Sequence, residues 1–226
     1  MKRPLISIGI ASIRDIDVVT RVINLLFDKA DDPKSIEIVF CFNSDSGPVV
    51  AYETQQDYID ALLSSQPQWR KDRIKILFDT TKYGYCSIGD FHHKIVKECS
   101  GEFVFFLNDD CVDITEGYDG EIKPYVGKCV ILNVDNVANP HDFCVMSRKF
   151  IEFNNGVVQY STYYNYDVSD WSVNCPEISN KIDVEIQHQP TAQFGMRVSQ
   201  RHDCRVLNED DYTWNCRHFG TDGNQK

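Results

Sequence analysis

Gly101 to Asp113 reads GEFVFFLNDDCVD. A run of bulky apolar residues, Phe103 to Leu107, stops abruptly at Asn108, Asp109 and Asp110. An uninterrupted apolar run of this length fits a strand buried on both faces, as in a parallel sheet covered by helices, because a half-exposed strand would alternate apolar and polar residues. Two adjacent carboxylates at the end of such a strand have two readings. Either they turn the chain into solvent, or they belong to a site, since ligands of open parallel sheets bind beyond the carboxyl ends of the strands.

Runs of the same kind recur at Leu5–Ile10, Ile36–Phe42, Ile74–Phe78, Cys129–Val134 and Asp183–Gln187. Helical patterns lie between them. Val18–Lys29 puts Val18, Val22, Leu25 and Leu26 on one face, with Asp15 or Asp17 as the cap. Tyr52–Ser64 carries Tyr58, Ile59, Leu62 and Leu63, and Asp90 can cap a helix through Cys99 whose face holds Phe91, Ile95 and Val96. Strand and helix in alternation predict an α/β fold with a mostly parallel central sheet and helices on both faces. After Asp113 the period weakens; Val168–Ser179 reads as a short helix capped by Asp167, and the tail from Arg201 has no clear period.

The chain of 226 residues is long enough for one substantial core, and no Pro-, Gly- or Ser-rich stretch divides it. We expect one domain over residues 1–200 and an appendage over 201–226 whose end is disordered. No apolar run is long enough to span a bilayer, and the N-terminus lacks the pattern of a secretory signal, so the expected location is the cytoplasm. Nine cysteines, with no C-x-x-C pair, read as reduced thiols packed in the core. The formal net charge of −11 argues against a broad basic surface for nucleic acid, while leaving room for a local cationic groove.

Three polar groupings interrupt the apolar pattern: Asn108-Asp109-Asp110, Asp167 with Asp170, and His188 at the end of the last predicted strand. Carboxylates with one imidazole suit a divalent ion such as Mn²⁺ or Mg²⁺, and the imidazole favours Mn²⁺. The blander readings stand beside these. Asp167 and Asp170 can serve only as a helix cap and its support, His92 and His93 as polar helix residues, and the Tyr160–Tyr166 aromatics as packing under a loop.

With these residues in view the sequence resembles the GT-A glycosyltransferases, most closely the family-2-like inverting enzymes that use nucleotide-diphospho sugars. ISIGIASIRD (Ile6–Asp15) resembles the family's first strand and loop, and IEIVFCFNSDS (Ile36–Ser46) the second strand with its nucleoside-holding turn. GDFHHKIVKECSGEFVFFLNDD (Gly89–Asp110) is similar to the helix, turn and strand that deliver an Asp-X-Asp motif, with Asn in its first position, and IQHQP (Ile186–Pro190) to the segment with the later metal-binding His. The resemblance implies a nucleotide-sugar half over residues 1–112 and an acceptor half over 113–200. It further implies Asp110 and His188 as metal ligands, Asn108 and Asp109 near the ribose or the metal's water shell, and Ala11, Ser12, Arg14, Asn43 and Asp45 around the nucleoside. His93 stands where the family carries Asn near the diphosphate, and Asp167 or Asp170 takes the place of the catalytic base.

The implied partner is a nucleotide sugar, with UDP as the commonest carrier in the family. The acceptor is open among a glycan, a glycoconjugate and a modified base in DNA, for which Arg197, Arg201, Arg205 and Arg217 are the candidate cations. Two other classes compete. A nucleotidyltransferase also combines strand-end acids with Mg²⁺, but the first loop has neither the glycines nor the lysine that hold a triphosphate; a non-catalytic nucleotide- or sugar-binding module would keep the fold alone.

Overall fold

The structure, a computed structural model, describes residues 3–80, 88–136, 143–159, 171 and 175–188. Strand and helix alternate through the first half as the apolar runs predict. The elements are β1 (Ile6–Ser12), α1 (Ile16–Asp28), β2 (Ile36–Asn43), α2 (Gly47–Val50), α3 (Gln55–Leu63), α4 (Gln68–Lys71), β3 (Ile74–Asp79), α5 (Ile88–Glu98) and β4 (Phe103–Asn108). The second half adds β5 (Cys111–Ile114), α6 (Tyr118–Ile122), β6 (Ile131–Asn136), β7 (Phe143–Ser147), α7 (Arg148–Phe153) and β8 (Ser179–His188).

Among the described residues the strands join one eight-stranded sheet in the order β3-β2-β1-β4-β7-β6-β8-β5. β1 pairs in parallel with β2 and β4, β2 with β3, and β6 with β8, while β7 runs antiparallel to β4 and β6, and β5 antiparallel to β8. The sheet is thus mostly parallel.

The uninterrupted apolar runs are explained by two cores, one on each face. Phe103, Phe105 and Leu107 pack with α1, α3 and α6 on one side; Val104 and Phe106 pack with α5 and α7 on the other. At roughly 1.5–3 kcal/mol for each large apolar side chain, burial of Phe103–Leu107 contributes on the order of 10 kcal/mol, an upper figure because unfolded chains already bury some surface. That energy holds the strand register, and so determines where Asn108 emerges. Gly9 lets α5 lie close on β1, since a Cβ there would fall 2.7 Å from Ile95 Cγ2.

Several elements differ from the expectation. In α1 the buried stripe is Val19, Val22, Ile23, Leu26 and Phe27, with Val18 and Leu25 at its margin, because the helix packs against β5 and α3. β5 and β7 were not anticipated: each is a short strand with cysteine or methionine among its apolar residues, and periodicity cannot assign so short a run. The helix expected over Val168–Ser179 ends early. Trp171 is helical and its carbonyl accepts the Cys175 N–H at 2.8 Å, but a turn follows and Ser179 opens β8. There the strand period of two takes over, with Ile182, Val184 and Ile186 buried and Lys181, Asp183 and Glu185 exposed. The expected appendage over 201–226 lies outside the described residues.

Cys41, Cys99, Cys111, Cys129, Cys144 and Cys175 are free thiols. No helix among the described residues is long and apolar enough to cross a membrane.

Candidate functional site

β1, β2 and β4 run in parallel, so their carboxyl ends share one edge of the sheet and their loops meet there. Ala11 of β1 sits opposite Asn108 of β4, and Ser12 opposite Phe42 of β2. The first-loop residues predicted from sequence are therefore brought beside the strand-end acids.

The three strand-end residues divide into distinct environments. Asn108 is exposed, and Asp110 is 5% exposed. Asp109 lies between them and reaches back to the β1 loop: its Oδ2 accepts from Ser12 Oγ at 2.8 Å and from the Ile13 N–H at 3.3 Å, and its Oδ1 accepts from Arg14 Nε at 3.3 Å. The Arg14 N–H donates to Ser12 Oγ at 3.1 Å, closing a small network. The Arg14 and Asp109 side chains are only 11% and 13% exposed, so this ion pair is better shielded than the surface pairs that contribute little. Sequence reasoning put Ser12, Arg14 and Asp109 at one site but missed that they bind one another. Its signal was two opposite charges just past the ends of β1 and β4, legible only once those strands are known to be neighbours.

Asp110 leads into β5, which pairs antiparallel with β8 so that Cys111 faces His188 across the ladder. Position 188 is therefore brought next to the residue that follows Asp110, although 78 positions separate the two acid and imidazole candidates along the chain (188 minus 110). The His188 side chain lies outside the described set. Cys111 offers no competing thiolate, because burial pushes its thiol far up and the neighbouring Asp110 and Asp109 charges push it further. Among the described residues no group of three His, Cys, Asp or Glu side chains is clustered as a metal site.

On the β2 side, Asn43 Oδ1 accepts the Asp45 N–H at 3.1 Å, and Ser44 Oγ donates to the Asp79 carbonyl at 3.1 Å. These bonds form a turn of the Asx kind that fixes the loop's exit from the sheet and leaves Asp45 exposed. His93 does something else. Its Nε2 receives a long contact, 3.5 Å, from the Val158 N–H, and burial holds its pKa below the ordinary histidine value.

The neighbouring His92 is buried, tilted over the Phe106 ring at 4.3 Å, with Nδ1 2.6 Å from Gln159 Oε1. An amide oxygen accepts, so Nδ1 carries the proton of the neutral ring, and burial lowers the His92 pKa to about 4 against the smaller opposing effect of the Gln159 bond. The two histidines thus grip consecutive residues, Val158 and Gln159. Asp167, Asp170, the Tyr160–Tyr166 aromatics and Arg197, Arg201, Arg205 and Arg217 lie outside the described residues.

No family model matches the sequence, and comparison with curated proteins finds no match. Solved structures do match in fold. The mannosyltransferase PcManGT from Pyrobaculum calidifontis, in complex with GDP-Man and Mn²⁺, superposes with a TM-score of 0.63 at 12% identity over 100% of this chain and 67% of that one. S. aureus TarS 1-349 matches at 0.57 with 12% identity over 91% and 64%. Glucosyl-3-phosphoglycerate synthase from Mycobacterium tuberculosis, in complex with Mn²⁺, UDP and glucosyl-3-phosphoglycerate, matches at 0.61 with 9% identity over 96% and 81%. The chain thus spans about two thirds of the first two proteins, and at these identities the likeness establishes architecture. Parallel strands delivering their acids to one edge, backed by an antiparallel return through β5 and β8, are the GT-A fold that these structures share.

Proposed function

We propose that the protein is a metal-dependent, inverting glycosyltransferase that moves a sugar from a nucleoside-diphosphate donor to a hydroxyl acceptor. The observation that carries this reading is the β5–β8 register, which sets position 188 beside the turn holding Asp110 at the ligand-binding edge of the sheet. Fold likeness to transferases solved with GDP-Man or UDP and Mn²⁺ supports the donor class.

Asp110 and His188 would hold the ion, Mn²⁺ or Mg²⁺. The donor set fits: one buried carboxylate and one imidazole position are suitable ligands for such an ion, and the adjacent thiol stays protonated. When bound, the ion supplies Lewis-acid neutralisation of the charge that develops on the departing diphosphate. The chain's own residues do the remaining work. Ala11, Ser12 and Arg14 on one side and Asn43 and Asp45 on the other would frame the nucleoside, with Asn108 towards the ribose and His93 on the diphosphate side. Asp167 or Asp170 would take the proton from the acceptor oxygen as it attacks the face opposite the leaving group, which inverts the anomeric centre.

Residues 1–112 form the donor half in this reading and 113–200 the acceptor half. The acceptor is a glycan or glycoconjugate, with a modified DNA base as the lesser alternative on an acidic chain. The free thiols are compatible with the cytoplasm as the site of action.

The test is calorimetric titration of UDP, GDP and CDP with and without Mn²⁺ into wild type and Asp110→Ala. Binding that needs both the ion and Asp110 is expected. Absence of metal-dependent binding of any nucleoside diphosphate would overturn the reading, and release of pyrophosphate from a triphosphate would replace it with nucleotidyl transfer.

A further inference from the structure

Asp109 stands beside the metal-ligand candidate Asp110, and its residue type alone would make it a second ligand or a ribose contact. Its surroundings point elsewhere. Both carboxylate oxygens are engaged by the β1 loop: Oδ2 by the Ser12 hydroxyl and the Ile13 N–H, Oδ1 by Arg14 Nε. Ser12 Oγ in turn accepts the Arg14 N–H, so one carboxylate orients three consecutive residues of the loop. To bind a cation or a ribose hydroxyl itself, Asp109 would have to give up charge-assisted hydrogen bonds in a poorly solvated place, where an ion pair broken on one side is costly.

We infer that Asp109 is a positioning residue for Arg14: it binds neither metal nor donor, and instead holds the guanidinium and the Ser12–Ile13 backbone in the conformation that meets the nucleotide. This rests on the donor-site reading above and deepens it. Pairing also sets the charge of the site. With Asp109 neutralised by Arg14, Asp110 provides the carboxylate at the strand end, so one acid serves the ion and the other serves the loop. Arg14 replaced by a neutral residue would release Asp109 to compete for the cation. Metal binding in the absence of nucleotide should then hold or strengthen while nucleotide binding weakens.

A double-mutant cycle tests this, with UDP titrated calorimetrically in Mn²⁺ into wild type, Asp109→Asn, Arg14→Gln and the double variant, and Mn²⁺ titrated alone into each. Each single change should weaken UDP binding by roughly 10-fold, as for residues that orient a ligand-binding group. The double variant should lose no more than the weaker-binding single one. Asp109→Asn should keep the Mn²⁺ dependence of UDP binding, and Arg14→Gln should bind Mn²⁺ alone at least as tightly as wild type. Losses that add, or a UDP affinity in Asp109→Asn that no longer responds to Mn²⁺, would show that Asp109 touches the ligand directly and overturn the inference. Ser12→Ala guards against a folding defect: it removes one anchor of the carboxylate without changing charge. The part of its loss that runs through the carboxylate should disappear in the Asp109→Asn background, and a loss of the same size in both backgrounds counts against the positioning role. Wild type that binds no nucleoside diphosphate takes down the donor-site reading and this inference together, an outcome distinct from additive losses in a protein that does bind.

Discussion

The two ends of the parallel strands each hold a buried carboxylate, and they treat it in opposite ways. At the amino end, Glu37 of β2 accepts from Ser7 Oγ at 2.5 Å, from the Ser100 N–H at 2.6 Å and from Ser100 Oγ at 2.8 Å, and pairs with Lys75 at 2.9 Å. Burial by itself would push the Glu37 carboxyl up, but the bonds from Ser100, Ser7 and Lys75 together bring it below its ordinary value. Ser7 Oγ also accepts the Gly101 N–H at 2.7 Å, and a Cβ at Gly101 would lie 2.6 Å from the Ser7 nitrogen, so the turn into β4 is clamped shut with no room for a ligand. At the carboxyl end the acids instead adjoin exposed Asn108 and the loops of β1 and β2. Burial of a charge therefore says little about function until its donors are counted. Glu37 is bonded inside a closed turn, whereas Asp109, bonded to the β1 loop, and Asp110 sit where the fold opens.

Substitution should separate the two ends cleanly. Asp110→Ala is expected to reduce metal-dependent UDP affinity by more than ~100-fold while the melting temperature stays close to that of wild type; a large loss of stability with unchanged affinity would reverse the assignment. Glu37→Ala should do the converse. Stranding the Ser7 and Ser100 donors together with half-exposed Lys75 should cost about 3 kcal/mol in denaturant unfolding, with nucleotide affinity unaltered in the folded protein.

The smallest expected effect comes from the helix between the two ends. His92 has a folded pKa of about 4 against an ordinary 6.5, so the unfolded chain binds the proton more readily between those values. Its contribution is complete above pH 6.5 and is lost as pH falls towards 4, with about 2 kcal/mol gone by pH 5. Glu37 titrates in a lower window, since its folded pKa is below 4.5 and its contribution begins to fade only as pH falls beneath that value. His92→Asn keeps a donor towards Gln159 but cannot titrate. Its stability between pH 7 and 5 should fall less than that of wild type by about that amount, and identical slopes would mean that His92 does not bear the shift.

Much of the first half was legible in the sequence because burial on both faces leaves runs that nothing else explains. Ile36–Asn43 and Phe103–Asn108 read as strands for that reason, and their ends fell within a residue or two of expectation. The second half was harder. Phe143–Ser147 is as thoroughly buried as β4, yet Phe-Cys-Val-Met without a period reads equally well as a helix segment, and only pairing with β4 and β6 makes it a strand. The candidate site divides the same way. Asp110 and His188 could be nominated from residue type and strand-end position, while the engagement of Asp109 by Ser12 and Arg14 could not, because it depends on which strand lies beside β4.

Composition and apolar spacing alone determined that this chain makes an α/β sheet whose strands end in acids, since the hydrophobic effect acts on each segment's own pattern and needs no knowledge of its neighbours. Tertiary structure alone decided what each acid does. Electrostatic and hydrogen-bonded partners are set by strand order and register, which brought Arg14 to Asp109 across 95 positions and set Cys111 opposite His188, and no local pattern encodes such pairings.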